Sequence, residues 1–262
     1  MDKAVSIDEN YLPVYIHMAK TGGTSVNRVA AMNYGLFQVI SIAGRDSHQS
    51  MARLTGPKKH LLEKASLVQG HSVYGLHSYT ERPIWYFTFL REPVKRSLSS
   101  VRYISSTPKH SLYRKIQEKG YKELFLDGSL VDNSFCRALL PKERRKDSKN
   151  LTEADYMNAL QVLREKIGFV GFVENFDVSM GDLARCLGWK YSHGIRRNTT
   201  LDKVAKEDVD MDFIADFEKY DLRLYQEARR LFPSSGAESH RTVSGRWIPQ
   251  WKYAISRLWN VI

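Results

Sequence analysis

The chain has 262 residues, 42% hydrophobic and 26% charged, with a formal net charge of +11 at pH 7. That length buries a full core and suits one domain, or one domain with an appendage. No apolar run approaches the roughly 20 residues that would span a bilayer, and the positive balance points to an anionic partner (a nucleotide, an acidic glycan, nucleic acid or an anionic membrane) without choosing among them.

Met1 to Asn10 mixes charges and lacks the apolar stretch of a signal peptide, so a cytoplasmic protein is expected. Strand patterns follow at Leu12 to Met18, Leu36 to Ile42, Ser66 to Gly70, Ile84 to Leu90 and Gly168 to Val173. Helical patterns fall between and after them. Thr24 to Tyr34 stops at Gly35, and Pro93 to Ser105 carries proline at its first helical position. Leu151 to Ile167 opens on a Thr152/Asp155 capping pair, Val178 to Leu187 stops at Gly188, and two further helices occupy Met211 to Leu231. Strands alternating with helices predict an α/β fold with a mostly parallel central sheet covered by helices on both faces. Cys136 and Cys186 lie far apart without metal-ligand spacing; two free thiols are the default expectation, with a single disulfide as the alternative. The basic stretch Pro141 to Asn150 suits a solvated loop.

Chemistry concentrates where the first strand ends. Lys20-Thr21-Gly22-Gly23-Thr24-Ser25 stands between a β-branched and aromatic strand and a helix start. Glycines let backbone amides point inward, the helix start adds unpaired donors and a partial positive charge, and Lys20 adds a full one. This makes a cradle for a phosphate. It is not a nucleotide-binding Walker A loop, in which the lysine follows the glycines. A second basic corner follows the fourth strand, at Arg91-Glu92-Pro93, with Arg96, Ser99 and Tyr103 recurring on one helical face. Arginine offers a forked, permanently charged donor suited to phosphate, and a serine hydroxyl can complete the contact. Ligands of such sheets bind beyond the carboxyl ends of the strands, so Lys20 and Arg91 are expected to share one crevice.

These residues resemble the sulfotransferases. Lys20 to Ser25 is similar to their 5′-phosphosulfate loop, and Arg91-Glu92-Pro93-Val94-Lys95-Arg96-Ser97-Leu98-Ser99 to their 3′-phosphate motif. The resemblance is strongest to the carbohydrate branch with the heparan sulfate and uronyl 2-O-sulfotransferases. Phe172-Val173-Glu174-Asn175-Phe176-Asp177 and Tyr220-Asp221-Leu222-Arg223-Leu224-Tyr225 extend it over nearly the whole chain. It implies a P-loop-like three-layer fold, the donor 3′-phosphoadenosine 5′-phosphosulfate (PAPS), no metal, and in-line sulfuryl transfer to a carbohydrate hydroxyl. On this chain Lys20 would hold the region bridging phosphate and sulfate. Thr21, Gly22, Gly23, Thr24 and Ser25 would wrap the 5′-phosphate, and Arg91 and Ser99 would hold the 3′-phosphate. Arg197, in Arg196 to Thr200, falls where relatives close over the donor.

Transfer to a hydroxyl needs a base, and histidine suits that task near neutral pH. His71 ends the third predicted strand and follows Gly70, as the catalytic histidine does in the 2-O-sulfotransferase relatives. Some relatives carry another histidine two residues earlier, where this chain has Gln69. Glu63 and Glu174 are rival bases, His77 is a candidate substrate contact, and His17 reads as a packed residue inside the first strand.

Ser234 to Ser244 reads as a linker, which divides the chain into a domain at 1–233 and a tail at 234–262. The tail carries Trp247, Trp251, Ile255 and Leu258 on one helical face, with basic residues between. It suits a helix docked on its own domain or a partner subunit, or one lying on an anionic membrane. A nucleotide-dependent phosphotransferase and a non-catalytic nucleic-acid binder are the alternative functions. The second lacks an aromatic RNA-binding motif or zinc pattern, so no nucleic-acid partner is expected. The acceptor (an anionic or lipid-linked sugar, capsule glycan, small glycoside or peptide tyrosine) and the oligomeric state are not legible, and the carbohydrate preference rests on the resemblance.

Overall fold

The computed structural model describes residues 7–35, 38–42, 59–71, 73–141, 144, 151–192 and 209–233. Five strands form one sheet: β1 (Leu12–Ile16), β2 (Val39–Ile42), β3 (Leu67–Gly70), β4 (Ile84–Leu90) and β5 (Ile167–Phe172). Every pairing is parallel and the order is β2-β3-β1-β4-β5. β1 is central and buried along its whole length, as the apolar run Leu-Pro-Val-Tyr-Ile requires in a sheet with no wet face.

The helices are α1 (Gly23–Tyr34), α2 (Lys59–Lys64), α3 (Pro93–Ser106), α4 (Tyr113–Leu126), α5 (Ser134–Leu139), α6 (Glu153–Glu165), α7 (Phe176–Leu187), α8 (Met211–Phe217) and α9 (Lys219–Leu231). Alternate strand residues face opposite layers. Tyr15, Phe87 and Phe89 pack with Val26 and Val29 of α1 and Met180 and Leu183 of α7. Val14, Ile16, Leu90 and Phe172 pack with Leu139 of α5, Leu163 of α6 and Leu224 of α9. A smaller cluster joins α3, α4 and α8 through Val101, Ile104, Leu124, Phe125 and Ile214. The expected three-layer α/β architecture is therefore present, and among the described residues the sheet is wholly rather than mostly parallel.

Local signals set the helix ends. Thr152 and Asp155 form the reciprocal cap of α6, and Gly188 closes α7 in the left-handed conformation. Glu92 caps α3 by accepting from the amides of Val94 and Lys95, with Pro93 at its first turn. Helix α4 was not expected, because Gly120 breaks its pattern at φ 79° and ψ 170°.

At the amino end of the sheet Arg82 donates to the carbonyls of Asn10, Tyr11, Glu63 and Ala65 at 2.7–3.4 Å. These bonds tie together the entries to β1, β3 and β4. Cys136 and Cys186 are free and lie in the cores on opposite faces of the sheet. Among the described residues no helix is long and apolar enough to cross a membrane.

The connection from β1 leads through α1 to β2 on one side, while that from β4 leads to β5 on the other. Right-handed crossovers in opposite directions require α1 and α6 to cover opposite faces, as they do. A crevice opens where such connections diverge, at the carboxyl ends of β1 and β4.

Candidate active site

The chain leaves β1 through His17, whose amide still donates to the Gly70 carbonyl at 2.9 Å. Lys20 at φ 67° and Gly22 at φ 79° then reverse its direction. A side chain on Gly22 would meet the Phe176 ring at 2.8 Å, and one on Gly23 would meet His17 Nε2 at 1.8 Å, so neither position tolerates one. The amides of Ser25 and Val26 turn back to the Gly22 carbonyl at 2.9 and 3.3 Å. Among the described residues nothing accepts from the amides of Thr21, Gly22, Gly23 and Thr24. Four donors at a helix start thus stay open for an anion. Thr21 is fully buried, and its hydroxyl donates to the Met18 carbonyl at 2.8 Å. Its hydroxyl therefore pins the loop, and only its amide is left without a partner among the described residues, which narrows the role expected of it.

The second corner is built differently. Glu92 spends its carboxylate on the α3 cap, and its amide donates to Glu174 Oε1 at 2.9 Å. Glu174 Oε2 accepts from the Tyr225 hydroxyl at 3.0 Å. Arg91 is half-buried beside this network, and among the described residues its guanidinium makes no hydrogen bond. Burial, chiefly, lowers its pKa; Glu174 opposes that and the Arg102 charge adds to it. Ser99 is buried on α3, and its hydroxyl has no hydrogen-bond partner among the described residues.

The two corners meet. Burial and then the charge of Arg91 lower the pKa of the Lys20 ammonium, so the two cations lie within each other's field. Lys20 Nζ sits 4.3 Å from the centre of the Tyr103 ring. Thr21, Arg91, Arg96, Asp221 and Tyr225 line one pocket at this edge.

Arg96 turns inward instead of presenting itself to a ligand with Ser99 and Tyr103. It donates to Glu218 Oε1 at 2.8 Å and to the Ser97 hydroxyl at 3.3 Å. Ser97 donates to the same carboxylate oxygen at 2.6 Å, and the Asn133 amide donates to the other at 3.1 Å. Asp221 accepts from the amides of Phe135 and Cys136. Sequence periodicity found the face of α3 but not its partner, because Glu218 lies on the far side of the chain.

His71 follows β3 at the carboxyl edge and is exposed. Its Nδ1 lies 2.7 Å from the His17 carbonyl oxygen. A carbonyl only accepts, so Nδ1–H donates and Nε2 carries the free lone pair. His17 lies just past β1 and is half-buried, with its ring stacked 4.4 Å from that of His71. It is a neighbour of the site, not the core residue expected inside the strand. Burial first and the His71 charge second lower its pKa to about 4, so it is neutral near pH 7.

The rival bases fall away. Glu63 is exposed on α2, which leads into the amino end of β3, opposite the crevice. Both carboxylate oxygens of Glu174 already accept hydrogen bonds. His77 bonds the Tyr86 hydroxyl at 2.9 Å and feels the charge of Lys166 at the amino end of β5, which removes it as a contact at the carboxyl edge. Arg197, the tail at 234–262 and most of the basic loop lie outside the described residues.

No protein-family profile and no curated protein sequence matches the chain. Among solved structures the chain is similar to the crystal structure of mouse sulfotransferase SULT7A1 complexed with PAP. The two are 14% identical over 98% of this chain and 85% of that one, with a TM-score of 0.36, a superposition too loose to transfer residue roles.

Proposed function

We propose that this chain is a PAPS-dependent O-sulfotransferase acting on a carbohydrate hydroxyl. The observation that carries this reading is the pair of cations, Lys20 and Arg91, which form no ion pair among the described residues, beside four amides without an acceptor at one sheet edge. A ligand with anionic groups at two ends suits that arrangement. Open amides of Thr21 to Thr24 and the Ser25 hydroxyl would hold the 5′-phosphate, Lys20 the bridge to sulfate, and Arg91 with Ser99 the 3′-phosphate. The choice of sulfuryl donor and sugar acceptor rests on the motif resemblance.

When bound, the donor supplies an activated sulfuryl group on a phosphate leaving group. His71 Nε2 removes the proton of the attacking hydroxyl, a role worth about 10²–10⁴-fold. Lys20 and the loop amides neutralise charge developing on the leaving phosphate, worth roughly 3–4 kcal/mol by analogy with an oxyanion-hole donor. Alignment by the rigid sheet edge contributes more, roughly 7–11 kcal/mol.

Thermal shift with 3′-phosphoadenosine 5′-phosphate (PAP), ATP–magnesium and single-stranded DNA tests the donor. At 100 times its Kd, PAP should add about 2.7 kcal/mol, several degrees in Tm, with magnesium unnecessary. A response to ATP–magnesium alone supports the phosphotransferase, and one to DNA alone the nucleic-acid binder. Radiolabelled sulfate from PAPS, offered with a panel of glycans, glycolipids and tyrosine peptides, then identifies the acceptor. Transfer only to peptide would overturn the carbohydrate assignment.

A further inference from the structure

The β1–β3 register pairs Val14 with Val68, Tyr15 with Gln69 and Ile16 with Gly70. One step further along the ladder, kept in place by the bond from the His17 amide to the Gly70 carbonyl, sets His17 beside His71. Their rings close a column of four. Phe87 and Tyr15 stack at 5.1 Å, Tyr15 and His17 at 5.4 Å, and His17 and His71 at 4.4 Å, with interplanar angles of 14°, 20° and 24°. The first two rings are fully buried, the third half-buried and the last exposed. Gly23 closes the column from the side, since even a methyl group there would collide with His17 Nε2.

We propose that His17 is a positioning residue for His71. Its imidazole provides the flat surface that holds the His71 ring against the His17 carbonyl, and only a ring held there keeps the Nδ1–H tautomer with Nε2 facing outward, although the carbonyl itself remains in every side-chain variant. A neutral His17 suits this task, because it adds no charge that would oppose proton uptake by its neighbour. Buried rings beneath it leave His17 little room to tilt, and Gly23 ties its position to the phosphate cradle. The kinetic consequence rests on the sulfuryl-transfer reading above, whereas the geometric one does not.

Two measurements test the proposal on the full chain. Imidazole ¹⁵N–¹H correlation spectra of the unliganded protein report the His71 tautomer. Wild type and His17→Phe should hold Nδ1–H, while His17→Ala and His17→Leu should give mixed tautomers. Turnover should fall about tenfold to 10²-fold in His17→Ala and His17→Leu, as expected for a displaced catalytic group, while PAP affinity stays within about twofold. His17→Phe, which keeps a flat ring, should recover most of that loss. An unchanged His71 tautomer in His17→Ala and His17→Leu overturns the proposal, as does a His17→Phe enzyme as slow as His17→Leu. If wild type transfers no sulfuryl group, the functional reading fails and the spectra still decide the positioning role.

Discussion

Lys20 is a cation held in unfavourable surroundings, since burial and Arg91 both oppose its charge. A bound phosphate reverses that balance. Removing the ammonium in Lys20→Ala should weaken PAP by about tenfold to 10²-fold, the usual worth of a hydrogen bond to a charged group. The sign of the pH effect follows from the lowered pKa. Affinity should stay level near neutrality and fall as pH rises through that pKa, earlier than for an ordinary lysine near 10.4. Calorimetry at about pH 9, in two buffers with different ionisation heats, should report proton uptake on binding. Lys20→Arg should abolish the uptake, because guanidinium stays charged. At His71 the expectation is a different split. His71→Gln should lose about 10²–10⁴-fold in kcat while leaving PAP affinity within about twofold. A large loss of affinity in His71→Gln, measured by the same titration, would remove it as the base. Lys20, Arg91 and His71 were all legible as residues standing at strand ends. The partnership of His17 was not, because it depends on β3 lying next to β1, and strand order is not written locally.

Elements with a local signature were read with near-correct ends. Pro93, Thr152 with Asp155, and Gly188 each fix a helix terminus by short-range chemistry, and β4 coincides with its expected span. Elements lacking one were missed: α4 contains a glycine kink, and α5 has only six residues. The cap of α3 gives a direct test. Glu92 satisfies two of its first amides, so Glu92→Ala should cost about 1–2 kcal/mol. Scanning calorimetry should find a Tm lower by roughly 2–4 °C per kcal/mol in a protein of this size. An unchanged Tm would mean that water replaces the carboxylate without loss.

Across the whole molecule, the buried cluster of Arg96, Ser97, Asn133, Glu218 and Asp221 joins α3, α5 and α9 at the pocket wall. Burial raises the Glu218 pKa to about 7, against the pull of Arg96 and with a further push from Asp221. A carboxyl raised above its unfolded value contributes stability that is full below about 4.5 and is lost as pH rises through about 7. Wild type should therefore lose stability relative to Glu218→Gln between these limits. Urea midpoints of both proteins at pH 5 and pH 8 check this; a constant difference between them would rule out Glu218 as the source. None of this was legible in the sequence, since the cluster unites residues from three distant segments.

Arg82 fastens the rear of the sheet through four main-chain oxygens, while the chemistry sits at the front. Strength and reactivity thus reside at opposite ends of the same strands. An inactive His71→Gln protein should consequently survive purification intact and keep its donor site. It would serve as bait for trapping the genuine acceptor from crude glycan extracts.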